Sequence, residues 1–324
     1  MSIIRSTALL LLITITACTG FNVSQGPTLR LKEVHPFGAL RVAFSPAGDR
    51  LASGGLQGDI KIWHIPDGEN LLVMKGDNAP VSGLAWLDED HLVSADTHGR
   101  LRILGSTTGD SAIEFHTEPV TAMALLPWPA RLVVGHATGK LHIYSLPDFA
   151  VLAEHELPEA ILAIAVEPQQ QWIAVATDER RVQLLDARLA PLRKLQTPPG
   201  KTFALRFAPD GGQLAGGGWF NVFLWSLAGG ALEVRDSGHF GAIAALDYSP
   251  DGRQLVSIGR ITNATVEVTD VATGQLDRRL SPQPLCGWDV RFSPDGHYIA
   301  SSSEDGSVLL YDITTDYRPT WYHE

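Results

Sequence analysis

Histidines 136 and 142 flank a hairpin turn in the run HATGKLH, and two imidazoles so close are the simplest beginning of a metal site. In an antiparallel hairpin of this length the two rings are expected on opposite faces, and the sequence shows no third ligand. The other groups able to do chemistry sit in seven short apolar runs: LRVAF, SGLAW, TAMAL, LAIAV, FALRF, AALDY and WDVRF. These supply two carboxylates, Asp247 and Asp289, and three guanidinium groups, Arg41, Arg206 and Arg291. Metal-assisted hydrolysis needs several carboxylates or histidines converging on one point. The chain has no Gly-rich phosphate loop, no Gly-x-Ser-x-Gly elbow, no His-Glu-x-x-His and no Cys-x-x-Cys. Cys286 has no base beside it and is expected as a small buried hydrophobe opening an inner strand. Catalysis, a metal and a cofactor are therefore not expected.

What must position these groups is a repeat. Its clearest copy is VRFSPDGHYIASSSEDGSVLLYDIT, Val290 to Thr314. It reads as three short strands separated by Ser293-Pro294-Asp295-Gly296, where Pro fixes φ and Gly admits φ > 0, and by the tight Glu304-Asp305-Gly306 turn. Related copies begin at Phe44 and Tyr248, and four weaker ones lie between them. The residue at the Tyr311 position recurs as Trp63, Leu104, Tyr144, Leu185, Trp225 and Thr269, in steps of 41, 40, 41, 40, 44 and 42. A period near ~40–45 with four strands per unit marks a radial β-repeat. The expected fold is all-β: a seven-bladed β-propeller with four-stranded antiparallel blades over residues 28–314. Six repeats have a candidate outer strand and the seventh has none. Thr28–Val34 alternates and precedes the first repeat, so it is expected to pair with Val308–Ile313 and close the ring.

At these residues the chain resembles the WD-repeat β-propeller family. The resemblance implies a structural network of a His, a Ser or Thr, an Asp and a Trp in each repeat. His35 and His239 match the first position; Ser53, Ser94, Ser257 and Ser301 match the second. Asp305 matches the third, where Gln57, His98, Thr138 and Glu179 stand in other repeats, and Trp63, Trp225 and Tyr311 are the expected wedges. No repeat carries all four types on this reading. The resemblance further implies scaffolding without catalysis.

The N-terminus reads as a targeting segment. Arg5 precedes the apolar run Ala8–Ile15, too short to span a bilayer comfortably, and Ile15-Thr16-Ala17-Cys18 resembles the bacterial lipobox. Cys18 is then the lipidated residue, 1–17 a lipoprotein signal peptide and 18–27 a flexible tether. An ordinary cleaved signal and an uncleaved anchor are the alternatives. Thr19 in place of Asp leans towards the outer membrane, facing the periplasm. Residues 315–324 read as a C-terminal tail.

The 324 residues carry a net charge of -11, which argues against nucleic acid as a partner. The expected function is protein binding in the bacterial cell envelope by a monomer held through its N-terminal lipid. Bulky residues of blades five to seven fall on loops of one rim: Trp219, Phe220, His239, Phe240, Arg260 and Trp288. Aromatics with Arg are what binding hot spots favour; the competing reading is that Trp219 and Trp288 cover the channel mouth. Arg180 and Arg181 on the same rim read as a solvated turn pair. The rival functions are a small-ligand or glycan binder using the channel and a propeller hydrolase.

Overall fold

A computed structural model describes residues 25–31, 34–126, 129–167, 169, 172–260 and 264–315. The signal-like segment, Cys18, most of the tether and nearly all of the tail lie outside the described residues.

The short strand β1 (Leu29–Leu31) comes first. Blade one is β2 (Ala39–Phe44), β3 (Arg50–Gly55), β4 (Ile60–His64) and β5 (Asn70–Met74). Blade two is β6 (Val81–Trp86), β7 (His91–Asp96), β8 (Arg100–Gly105) and β9 (Ser111–His116). Blade three is β10 (Val120–Leu126), β11 (Arg131–His136), β12 (Lys140–Ser145) and β13 (Val151–Glu156). Blade four is β14 (Ile161–Val166), β15 (Ile173–Thr177), β16 (Val182–Leu185) and β17 (Pro191–Lys194). Blade five is β18 (Ala204–Phe207), β19 (Gln213–Gly217), β20 (Asn221–Ser226) and β21 (Leu232–Asp236). Blade six is β22 (Ile243–Tyr248), β23 (Gln254–Gly259), β24 (Ala264–Asp270) and β25 (Leu276–Gln283). Blade seven has β26 (Gly287–Phe292), β27 (Tyr298–Ser303) and β28 (Val308–Asp312), and β1 supplies its fourth strand.

All seven sheets are four-stranded and antiparallel. The ring closes as the alternation of Thr28–Val34 leads one to expect, with three paired residues among those described: Leu29 faces Leu310, Arg30 faces Leu309 and Leu31 faces Val308. Pairing there covers what would otherwise be a free sheet edge.

The core is divided into seven apolar clusters, each between two neighbouring blades. Side chains alternate across a strand, so adjacent apolar residues serve different interfaces. Leu309 packs towards blade six and Leu310 towards blade one. Leu184 and Leu185 part in the same way, as do Val133 and Val134. This is why the third strands read as apolar pairs rather than as clean alternation. Trp225 and Tyr311 are fully buried and Trp63 nearly so.

Candidate functional site

The first element of the site is a backbone irregularity. In six of the seven blades the inner strand pairs with its neighbour through one extra residue: Leu40, Ser82, Thr121, Leu162, Ala244 and Trp288 each stand in a β-bulge. A bulge bends its strand and re-aims the side chain. In blade five Phe203 takes that place, its N–H donating to Gly217 O at 2.7 Å just ahead of β18. These seven residues line one cavity of about 780 Å³ at the mouth of the channel. Arg41, Leu56, Trp219 and Arg260 are also part of its wall.

The turns around this mouth are stitched together. Leu56 N donates to Gly38 O, Ile243 N to Gly218 O, Arg260 N to Ala242 O and Glu304 N to Cys286 O. The loops joining blades and the hairpins between second and third strands therefore share one rim. Exposed large apolar side chains gather on it: Phe37, Leu56, Trp219, Phe220, Phe240 and Leu285. The remaining exposed ones lie on outer strands, and among the described residues none lies on the opposite rim. Trp219 and Phe220 are half exposed and Phe240 is 83% exposed. The Trp219 ring meets Phe203 and Phe220, each with ring centres 6.0 Å apart. Arg260 lies over the Trp288 ring at 3.9 Å. Trp219 and Trp288 thus do flank the channel mouth, and Trp219 also joins the outward patch.

His239 does not belong to that surface. It is 5% exposed, and its Nε2 lies 2.8 Å from Ser257 Oγ. Burial, with Arg279 close by, pulls its pKa down to about 4. It is a structural histidine, as His35 is. Arg181 pairs with Glu159 at 2.9 Å, so the Arg180–Arg181 turn is tied to the preceding loop and not simply solvated.

The expectation that no repeat holds the complete four-residue network is overturned in blade one. His35 Nδ1 lies 2.6 Å from Asp59 Oδ2, His35 Nε2 lies 3.0 Å from Ser53 Oγ, and Trp63 Nε1 donates to Ser53 Oγ at 3.0 Å. The carboxylate comes from Asp59, just past Gly58, and not from the Gln57 position. Gly55 makes room, because a Cβ there would collide with both His35 and Asp59. In blade three the residue equivalent to Gly55 is His136. Its ring is buried, with Nε2 3.1 Å from His142 Nδ1 and Nδ1 3.1 Å from Pro119 O. The two histidines therefore meet, contrary to the opposite-face expectation, because the register sets His142 opposite Val134, and His136, two residues further along that strand, shares their face. Burial lowers the His136 pKa. Asp305 is exposed and caps its own turn, accepting from Ser307 N at 3.0 Å.

The channel carboxylates are committed to their neighbours. Asp247 accepts from Arg206 Nε at 2.6 Å and from Phe292 N at 3.0 Å. Asp289 accepts from Val42 N at 3.2 Å and Val290 N at 3.0 Å, and pairs with Arg291 at 3.0 Å. Among the described residues no three His, Cys, Asp or Glu side chains are grouped as a metal site. Cys286 lies just ahead of β26 and is half-buried rather than buried; burial and Glu304 raise its thiol pKa.

Arg41, named from the sequence as an inner-strand cation, follows the bulge of β2 at the mouth; Phe203, just before β18, was not singled out, though it opens the run FALRF.

The family model for the WD domain, G-beta repeat, matches residues 28–64 and 286–312, the first and last repeats. With seven four-stranded blades and closure by β1, the chain is a seven-bladed propeller whose first and last repeats are similar to that model. It is 24% identical over 264 residues to cilia- and flagella-associated protein 52 of Sus scrofa, covering 78% of this chain and 42% of that protein. It is 23% identical over 236 residues to transcription initiation factor TFIID subunit 5 of Caenorhabditis elegans, covering 72% and 36%. Similarity to actin-interacting protein 1 of Drosophila melanogaster is 27% over 191 residues, covering 54% and 31%. The chain spans less than half the length of these relatives.

Proposed function

We propose that this propeller is a protein-interaction platform of the bacterial cell envelope, held by a lipid on Cys18 and docking its partners on the aromatic rim. WD40 propellers typically serve as interaction scaffolds. The observation that carries the reading is the one-sided distribution of exposed apolar side chains: Phe37, Leu56, Trp219, Phe220, Phe240 and Leu285 share a rim whose opposite face has none among the described residues. A patch of this kind, with Arg260 beside it, has the composition of an interface centre.

The anchor rests on sequence alone, on Arg5, the apolar run and Cys18. The described chain enters the ring at Gln25, which is bridged to Leu280 on the outer strand of blade six. Gln25 thus lies at the circumference and not on the aromatic rim. Partners on this reading are other envelope proteins, and the outer membrane facing the periplasm is the favoured location.

Substituting W219S and F220S together, in cells crosslinked before lysis, tests the docking surface. The expected result is normal accumulation and melting temperature with loss of the captured partners. Capture of the same partners by the double variant removes the patch from consideration. Replacing Cys18 with Ser should release the protein from the membrane fraction and abolish incorporation of labelled fatty acid.

A further inference from the structure

We infer that the channel mouth within the aromatic rim is a receptor for a carboxylate borne on an apolar body, with Arg41 and Arg260 as its cationic contacts. The inference deepens the docking reading and rests on it for one point only, that the carboxylate can belong to a docked protein.

The cavity of about 780 Å³ has the size of a ligand site. Its wall contains Arg41 and Arg260 and no acidic residue, in a chain whose net charge is -11. A positive mouth in a negative molecule concentrates anions where its walls exclude water. Arg41 is held from behind: Nε donates to Ser82 O and Nη1 to Leu40 O, each at 2.9 Å. These bonds fix the guanidinium and leave its remaining N–H groups unspent. Arg260 has no ion-pair partner among the described residues; its face is covered by Trp288 at 3.9 Å and its edge is left for hydrogen bonding. Burial depresses the Arg41 pKa, Asp289 raises it again, and Arg291 and Arg260 depress it further.

Two residues of this wall, Ser82 and Trp288, also keep a buried polar atom, Oγ and Nε1, without a hydrogen-bond partner, although neither atom is open to the cavity. Such groups are costly to leave unpaired. Apart from Thr97 and Thr121, the rest of the lining is apolar and includes Leu40, Val81, Val120, Leu162, Phe203 and Trp219. Two guanidinium groups in an apolar wall suit a planar carboxylate on an aromatic or aliphatic body.

Calorimetric titration of the purified propeller at low salt tests this with phenylsuccinate, the capped dipeptide acetyl-Phe-Asp-amide and its neutral counterpart acetyl-Phe-Asn-amide. The two acids should bind and the neutral peptide should not. R41Q and R260Q should each weaken the acids by at least about tenfold, the scale of one charge-assisted contact. R253Q, on the opposite rim, should leave binding unchanged. A preference for phenylsuccinate assigns the site to a free organic acid; a preference for the peptide assigns it to a partner's acidic side chain. Equal binding of the neutral peptide overturns the inference. So does acid binding that survives in R260Q, or an absence of heat with both acids. R260Q carries the decision if R41Q fails to fold, since Arg260 lies on a loop. Acid binding lost in R260Q while the W219S/F220S protein still captures its partners would sink the docking reading and leave the receptor standing. The reverse pattern would sink the receptor alone.

Discussion

Gln283 Nε2 donates to Ser301 Oγ at 2.6 Å, and the two residues stand eighteen positions apart. His35 and Ser53 have the same separation, as do His239 and Ser257. An amide in blade seven therefore does what an imidazole does in blades one and six. Ser307 Oγ lies 3.3 Å from Gln283 Oε1 and 2.6 Å from Asp305 Oδ1, which carries the network on to the turn carboxylate. These three repeats differ in residue type but keep the hydrogen-bonded link between the loop ahead of the blade and its second strand.

That equivalence sets up a pH experiment on His239. Its pKa falls from 6.5 to about 4 on folding because burial disfavours the charged ring. The neutral form is favoured in the folded state, so the unfolded chain takes up the proton first as pH drops. The stability it contributes is complete above pH 6.5 and is lost as pH falls towards 4; the full span is about 3 kcal/mol. H239Q copies the blade-seven solution and has no proton to take up. Denaturant unfolding at pH 7 and pH 4.5 should show a smaller acid loss in H239Q than in the parent. Parallel curves would mean that His239 does not titrate with folding.

Asp59 and Gln57 give a second test, because the hairpin offers two candidates for one role. Burial works against ionisation of Asp59, yet the contact with His35 outweighs it and holds the pKa below the usual carboxylate value. Removing that carboxylate leaves a buried imidazole nitrogen unpaired, which costs about 1–3 kcal/mol. D59A should lower the midpoint of unfolding accordingly, and Q57A should change it within experimental scatter. A Q57A loss equal to that of D59A would return the network to its usual position.

Much of this architecture is written in the chain. Seven copies of a turn-bounded pattern set the blade number, and the missing outer strand of the last copy pointed to Thr28–Val34 as the closing piece, of which Leu29–Leu31 is the paired part described. The rim was legible because Trp219, Phe220, Phe240 and Arg260 fall at turns, and Trp288 at the start of an inner strand. His239 was misread for the same reason: loop position says nothing about burial, and only the packing shows its ring turned in towards Ser257. Gly259 was the available clue. Blades one and six, which hold a histidine, both keep Gly at the end of the second strand, at Gly55 and Gly259, where a Cβ would press on the ring. Arg41 was legible as an inner-strand cation, but its place at the mouth and the part of Ser82 stayed hidden because a β-bulge leaves no mark in composition; its extra residue appears only when strand registers are compared.

The closing strand gives the last prediction. β1 contributes three paired residues, yet it sits where the ring would otherwise open. Leu31 is 4% exposed and packs with Val34, Val308 and Leu310 in the cluster between blades seven and one. Thr28 adds a backbone bond to Leu310 O at 2.8 Å, and its hydroxyl accepts from Asp312 N at 2.8 Å. L31A should cost about 2–5 kcal/mol by the cavity it leaves. L31D should cost more, because a carboxylate would replace the methyl groups in a dry interface. The decisive readout is where the loss is felt. Hydrogen exchange should rise first at β28 and β27, whose edge the strand covers, while blades three and four keep their protection. Uniform acceleration around the ring would mean that the seam is not the place where the propeller opens.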